Sequence, residues 1–430
     1  MVSRFKIFCD PVHGFISVPK NILMDLIGTP EMQRLRRIRQ LGIGHLVFPG
    51  AEHTRFGHAL GAMALMQDAL SNLADKGTPI SPEESIAAQA AAMLHDIGHG
   101  PFSHVLEHTF IDGYRHENMS RELMVSLNER FEGALDLALK IFDGTYERPF
   151  FHQLVSSQLD MDRLDFLRRD SFYTGVVEGD VGVDRIIKTM RVHPQEGGPD
   201  SRIVIEAKGI YAIENYIISR RLMYWQVYLH KTVVAGDRLL RTAFGRMREH
   251  LARDSKSLDG FCSPSLLFFL TNNLTLDDIR RKDVREHFCR IDDVDVMHCM
   301  KACMRHPDRI LADLCRRFIE RDFFRVTFLS DLPTQEQVEA WTDRIATWLV
   351  SKGLSDADCA SENTQCYLIQ DDTRHLAYEH VRDSVHVLDR TGAVRELSQT
   401  VEATTVASLG EVVVKPFVCY PKEVELEMGG

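Results

Sequence analysis

The stretch SIAAQAAAMLHDIGHGPFSH, residues 85 to 104, limits what this chain can fold into more than any other segment. Apart from Gln89, its first half is small or apolar on every side. A helix built from it has no face to offer water and belongs at the centre of a helical bundle. Ser81, Pro82 and the acidic Glu83 and Glu84 open it as a helix N-terminus. The buried run then ends in His95 and Asp96, whose desolvation requires a polar partner or a metal. On its own a His-Asp dipeptide is weak evidence, because core histidines are more often satisfied by a backbone carbonyl.

Helical spacing recurs along most of the chain. TPEMQRLRRIRQLG begins with Thr29 and Pro30, places Met32, Leu35, Ile38 and Leu41 at helical intervals, and stops at Gly42. HTRFGHALGAMALMQDALSNLADKG has the same period and ends at Gly77. Further helices are expected over 117–130, 154–169 and 184–190, with one very long helix over 210–253. Strands are few: FKIFC and FISV around the turn DPVHG, then SRIVIEA after HPQEGGPDS. Beyond residue 320, FFRVTFL, QCYLIQ, DSVHVLD and VVVKPFVCY read as strands around a helix over 334–352. At 430 residues and 44% hydrophobic, the chain can bury one large core and a smaller unit. The expected class is mainly α: a helical bundle with a few short hairpins over 1–320, and a smaller α+β region over 321–430.

A formal net charge of -11 and a pI near 6.0 argue against a chain built to coat nucleic acid or an anionic membrane. The start MVSRFKIFCD lacks the apolar core of a secretory signal, and no apolar window is long enough to span a bilayer. A cytoplasmic location is expected. The nine cysteines are odd in number and scattered without a CxxC pair, which fits reduced thiols. HCMKACMRH admits two readings. His298, Cys299, Cys303 and His306 could hold zinc, or the run could be the buried stripe of an amphipathic helix.

Two further polar clusters bear on His95 and Asp96. HTRFGHALG puts Arg55 and His58 three residues apart on one helical face. SSQLDMDRLDFLRRDSFYTG supplies Asp160, Asp162, Asp165 and Asp170 among Arg163, Arg168 and Arg169, either as ion-paired helix charges or as ligands. Two neutral imidazoles with two carboxylates suit a divalent metal of intermediate hardness, such as Mn, Fe, Zn or Mg.

In order along the chain, DPVHGFI, TPEMQRLRRIRQLG, VFPGAEHTRFGHALG, AAMLHDIGHGPFSH, RHENMS, LDMDRLDFLRRD and RRLMYWQVYLHK resemble the HD-domain phosphohydrolases. The likeness is to their dNTP triphosphohydrolase branch, which includes the vertebrate SAM-and-HD-domain enzyme and bacterial relatives. The resemblance covers about the first half of the chain. It implies an HD-domain helical bundle and a divalent metal on His58, His95, Asp96 and Asp162, with Asp162 rather than Asp160 at the second position of the family's DxD pattern. It also implies a general-acid group made of His104, Glu107 and His116, and phosphate contacts from Arg55, His99, Arg163 and Arg220. Gln40, Leu41, Asp170 and Tyr228 would read the sugar, with Phe166 standing where a tyrosine is common.

The reaction implied is hydrolysis of deoxynucleoside triphosphates to deoxynucleoside and inorganic triphosphate, by attack of metal-activated hydroxide on the α-phosphorus. Two alternatives stay open: an HD phosphohydrolase acting on another nucleotide or phosphate ester, and a nucleotide-responsive binding or signalling protein with little turnover. The resemblance further implies a homo-oligomer, dimer or tetramer, with a possible allosteric nucleotide between subunits. At that regulatory site the chain departs from the vertebrate enzyme: Gly28 replaces a carboxylate and Cys9 a polar side chain, while Gln33 and Arg36 remain.

Overall fold

The computed structural model describes residues 4–105, 107–379, 383–400 and 409–427, and the side chains of His104 and His108 lie outside that description. At its centre the Arg55–Asp75 and Pro82–Leu94 helices run side by side. The second buries every residue from Ala87 to Leu94. Ser81 caps it: its Oγ accepts from Glu84 N at 3.1 Å, while the Glu84 carboxylate accepts from Ser81 N at 2.8 Å. This reciprocal pair satisfies backbone donors that the helix would leave orphaned.

The Met161–Thr174 helix crosses the Arg55–Asp75 helix at Gly61. A Cβ there would lie 1.9 Å from Asp165 Oδ1 and 2.4 Å from an Arg169 nitrogen. Only glycine lets the two helices approach this closely. The buried apolar side chains form one continuous core that runs from the N-terminal hairpin to the C-terminal sheet.

Strands are short and peripheral. Phe5–Asp10 and Gly14–Pro19 form the expected antiparallel hairpin, with Cys9 opposite Phe15. In the C-terminal region Val412–Tyr420 lies between Arg325–Phe328 and Ile369–Leu376, antiparallel to both. The Gln335–Ser351 helix, capped by Thr334, belongs to the same region. His386–Leu388 instead pairs in parallel with Arg202–Glu206, in a four-stranded sheet completed by Met190–His193 and Val394–Glu396. The chain is thus mainly α, with a smaller C-terminal region that carries sheets. Among the described residues no helix is long and apolar enough to cross a membrane.

Three expected helices are shorter or broken. The segment from Thr29 is α-helical only over Pro30–Arg34, tightens to a 3₁₀ turn over Leu35–Arg37, and is extended at Ile38. The chain leaves the helix because Arg39 bridges to Thr54 and its N–H donates to Asp293 Oδ2 at 2.9 Å. The expected helix over 154–169 is two, Phe150–Val155 and Met161–Thr174. Asp160 causes the break: its carboxylate accepts from Ser157 N at 2.8 Å and Arg163 N at 2.7 Å, and so caps a new helix. The expected helix over 210–253 is Ile210–Met223, a π-helical turn over Tyr224–Tyr228, and Lys231–Arg253. In HCMKACMRH, Cys299 and Cys303 are buried on the Asp293–Cys303 helix while His298 points outward, which favours the stripe over zinc.

Candidate metal and phosphate site

The buried Pro82–Leu94 helix delivers His95 as its C-cap, and Asp96 follows. From the neighbouring Arg55–Asp75 helix, fully buried His58 brings Nε2 to 3.4 Å from His95 Nε2. Asp162, in the first turn of Met161–Thr174, places Oδ1 3.1 Å from His58 Nε2 and 3.4 Å from His95 Nε2. Asp96 completes the ring, with Oδ1 3.3 Å from His95 Nε2 and Oδ2 3.7 Å from His58 Nε2. The ligand atoms of His58, His95 and Asp162 all lie within 4.8 Å of one another.

The other ring nitrogens are engaged in a way that suits metal ligation. His58 Nδ1 lies 2.7 Å from Asp165 Oδ2, and His95 Nδ1 lies 2.7 Å from the Ala92 carbonyl oxygen. Each acceptor fixes the N–H on Nδ1 and leaves a lone pair on Nε2 for a cation. Asp165 is itself held by His13, whose Nε2 is 2.6 Å from Oδ1, and by Arg169, which also reaches Asp10. Two imidazoles with two carboxylates on this support fit a divalent ion.

Electrostatics agrees. Burial alone would lower the two imidazole pKa values. The carboxylates outweigh it, and raise His58 to about 10 through Asp162 and Asp165, and His95 to about 9 through Asp96 and Asp162. Burial would likewise raise Asp96 and Asp162. The histidines around both hold them below the usual carboxylate range, with Arg55 helping at Asp96. The cluster is built to hold positive charge.

Asp96 also faces a second group. Its Oδ1 is 3.3 Å from His99 Nε2 and 3.8 Å from His116 Nε2. The rings of His99 and His116 stack at 3.8 Å, and Glu107 Oε1 lies 3.0 Å from His116 Nδ1. Burial, then the Arg55 and His116 charges, hold the His99 pKa well below its ordinary value. Arg55 ties the two groups together: one terminal nitrogen bonds Asp96, while Nε and the other terminal nitrogen donate to Ser103 Oγ at 2.9 and 2.7 Å.

The loop carrying these residues is held from several sides. Buried Arg34 donates to the carbonyls of Ile97 at 3.0 Å and His99 at 2.8 Å. Gly98 N donates to Ser120 Oγ at 2.9 Å, and Phe102 N to Asp293 Oδ1 at 3.0 Å. A Cβ on Gly98 would strike the backbone of the His116–Arg130 helix at 2.2 Å. Phe102 and Ser103 adopt positive φ, a strained conformation that persists only where surroundings enforce it. His104 belongs to the 3₁₀ turn Ser103–Val105, and its side chain, like that of His108, lies outside the described residues.

The residues expected to read a sugar also meet. Asp170 Oδ1 lies 2.7 Å from His53 Nε2, and Tyr228 Oη donates to Asp170 Oδ2 at 2.7 Å. Gln40 N donates to the His53 carbonyl at 3.0 Å, and its Oε1 is buried with no partner among the described residues. Leu41 stands half-buried beside it, and Phe166 meets Tyr228 edge-on at 6.1 Å. Asp162, Asp165, Phe166, Arg169 and Asp170 share one face of a single helix, which joins this group to the metal cluster.

Two expected phosphate contacts are arranged differently from one another. Arg163 is bound by Asp160 and the Ser157 carbonyl, an intramolecular clamp. Arg220 keeps a buried Nε without a partner among the described residues. His13, Arg34 and His53 lie inside the quoted motifs DPVHGFI, TPEMQRLRRIRQLG and VFPGAEHTRFGHALG without a role assigned to them there, and Asp293 lies in none; the parts all four play emerge only from the tertiary contacts. Asp165 had a signal, its spacing of three from Asp162 on one helical face.

A family model described as HD domain matches residues 55–149, and one described as HD associated region matches 181–291. YwfO of Bacillus subtilis is 33% identical over 93% of this chain and 88% of its own length. Human deoxynucleoside triphosphate triphosphohydrolase SAMHD1 is 28% identical over 68% of this chain, which spans only 54% of that protein. A crystal structure of a phosphohydrolase from Bacteroides thetaiotaomicron superposes with a TM-score of 0.88 at 41% identity, over 97% of this chain and 99% of that one. With likeness of this depth along almost its whole length, and with His58, His95 and Asp96 inside the matched HD domain and Asp162 brought to them from beyond it, the chain belongs to the HD-domain phosphohydrolase family.

Proposed function

We propose that the protein is a metal-dependent hydrolase of deoxynucleoside triphosphates that releases deoxynucleoside and intact inorganic triphosphate. The observation that carries this reading is the position of Asp96, with Oδ1 3.3 Å from both His95 Nε2 and His99 Nε2. One carboxylate thus borders a cation site on one side and a group of phosphate-binding type on the other. His58, His95, Asp96 and Asp162 would hold a divalent ion, which when bound would supply Lewis acidity and make water a competent nucleophile at neutral pH.

The chain's own residues do the rest. Arg55, fixed by Asp96 and Ser103, presents a guanidinium to phosphate oxygens without having to reorganise. Neutral His99 donates a hydrogen bond to phosphate, and Arg220 adds positive charge. His116, oriented by Glu107, supports the acid that the family resemblance assigns to His104. Gln40 Oε1 accepts from a sugar hydroxyl, Asp170 is turned for the same purpose by His53 and Tyr228, and Leu41 excludes bulk. Asp160 engages Arg163, so Arg163 serves phosphate only by exchanging that carboxylate for the substrate.

Phe166 favours a second reading of the substrate. With phenylalanine against Tyr228 the pocket offers no hydroxyl at that position, which relaxes sugar or chain-length preference and admits another nucleotide or phosphate ester. Mass spectrometry of the products from dNTPs, NTPs and monophosphates, each with Mg, Mn, Fe or Zn, separates the two. The main reading expects triphosphate from dNTPs. Turnover confined to other phosphate esters overturns it. Metal content is a parallel check: His95→Ala and Asp96→Ala should lose bound metal with the fold retained, and full occupancy in His95→Ala rules out the ligand set.

A further inference from the structure

On the side of the Asp293–Cys303 helix away from its N-terminus, sulfur atoms are gathered in a way that the phosphohydrolase site does not use. Cys262 Sγ lies 2.8 Å from Cys299 Sγ, although the two are 37 residues apart in sequence. Cys303 is within hydrogen-bonding reach of Cys299 and Cys315, and Met247 Sδ stands 3.8 Å from Cys299 Sγ. Cys299, Cys303 and Cys315 are buried, whereas Cys262 is partly buried and keeps some contact with solvent.

This is an arrangement for pairing sulfurs and not for holding a metal. Among the described residues the only groups of three or more His, Cys, Asp or Glu ligand atoms within 4.8 Å of one another are the two around Asp96. The imidazole nearest the thiols is also occupied: His306 Nε2 lies 3.3 Å from the Ser257 carbonyl, and Nδ1 accepts from Asp308 N at 3.1 Å. The four thiols follow one another as a chain, and no three of them converge on one point as a tetrahedral thiolate site requires.

We propose that Cys262 and Cys299 are a peroxide-oxidisable pair that closes to a reversible disulfide in the folded protein. Cys262 is the entry point because solvent reaches it. It lies on the loop between the Lys231–Arg253 and Pro264–Thr271 helices, where the backbone can follow the small approach a bond requires. The Cys262 thiolate attacks one peroxide oxygen, the O–O bond breaks, and hydroxide leaves and takes a proton to become water. The resulting sulfenic acid is attacked by the Cys299 sulfur. The S–O bond breaks, the S–S bond forms, and the Cys299 proton departs with the hydroxyl as a second water. Two thiols lose two electrons, and one peroxide becomes two waters. The bond would tether the helix whose first residue, Asp293, holds Phe102 N and Arg39 N, so it lies on an element that supports the catalytic loop.

Trypsin separates the candidates cleanly: Cys262 falls in 257–280, Cys299 in 291–301, Cys303 in 302–305 and Cys315 in 310–316. The full-length protein is treated with stoichiometric hydrogen peroxide, quenched with N-ethylmaleimide under denaturing conditions, and mapped without reductant. The proposal expects 257–280 linked to 291–301, released by dithiothreitol. The link should persist in Cys303→Ser and vanish in Cys262→Ser, with Cys299 then recovered as an alkylated thiol. Circular dichroism verifies that each variant is folded. Three outcomes would overturn the pairing: 257–280 linked to 302–305, loss of the link in folded Cys303→Ser, or both Cys262 and Cys299 still alkylated after exposed Cys9 and Cys359 have been oxidised.

Discussion

Asp165 Oδ2 lies 2.7 Å from His58 Nδ1, and through that contact a fully buried carboxylate sets which nitrogen of His58 faces Asp162. Burial alone would raise the Asp165 carboxyl. Arg169 and the hydrogen bonds of His13 and His58 hold it well below the usual carboxylate range. Removing that negative charge while keeping the shape should loosen the metal without unfolding the chain. Asp165→Asn is expected to weaken divalent-metal affinity by roughly 10- to 100-fold, the usual cost of losing such a support. Calorimetric titration of the chelated protein checks it, with thermal melting as the control for folding. Unchanged affinity would remove Asp165 from the metal account.

The raised imidazoles give a signed pH dependence. In chelated protein, His58 and His95 titrate near about 10 and about 9, against an ordinary 6.5. Groups whose pKa is raised on folding stabilise fully below the unfolded value, and that stability is lost as pH rises through the folded values. The Tm of chelated protein should therefore fall between about pH 6.5 and about pH 10, and added metal should flatten the fall because it replaces the protons. Melting curves over that range, with and without metal, test it. A Tm that climbs with pH in the chelated form would show that the carboxylates do not hold these histidines protonated.

Much of this was legible from local pattern. The Ala-rich helix, its cap and the histidine and aspartate at its end are contiguous, so periodicity places them at the end of a buried helix, while their assignment as metal ligands came from the family resemblance. Asp165 and Arg169 were visible as a polar helical face, but what they support was not, because His13 and Asp165 are 152 positions apart and meet only through the tertiary fold. The broken helices have the same origin. Asp160 and the Tyr224–Tyr228 turn sit in sequences that read as helix, yet capping at one and the Tyr228–Asp170 contact at the other override propensity.

The N-terminal region carries a prediction about regulation. Gly28 closes the Ile22–Ile27 helix by donating to the Asp25 carbonyl at 3.0 Å and has no side chain to read a guanine edge. Gln33 is already engaged, donating to the Ile27 carbonyl and accepting from Arg36. GTP should be at most a weak activator of dATP hydrolysis, in a protein that light scattering finds as a dimer or tetramer. Strong activation at micromolar GTP would contradict the first expectation, and a monomer at every dilution with nucleotide present would contradict the second.

General-acid help in expelling an ester oxygen is typically worth about 10²- to 10⁴-fold. If His104 supplies it, His104→Ala should lose rate on that scale while metal content and substrate affinity persist. Pre-steady-state turnover with elemental analysis checks the split. Loss of metal together with rate would move His104 out of the acid role and into the ligand set.

The proposed reaction breaks the bond between the α-phosphorus and the 5′-oxygen, at a site where Asp96 lies between His95 and His99. Hydrolysis of a dNTP in ¹⁸O-labelled water, with both products weighed by mass spectrometry, tests this directly. The account predicts one ¹⁸O in inorganic triphosphate and none in the deoxynucleoside. Label in the nucleoside hydroxyl, or release of pyrophosphate or single phosphates, would contradict it.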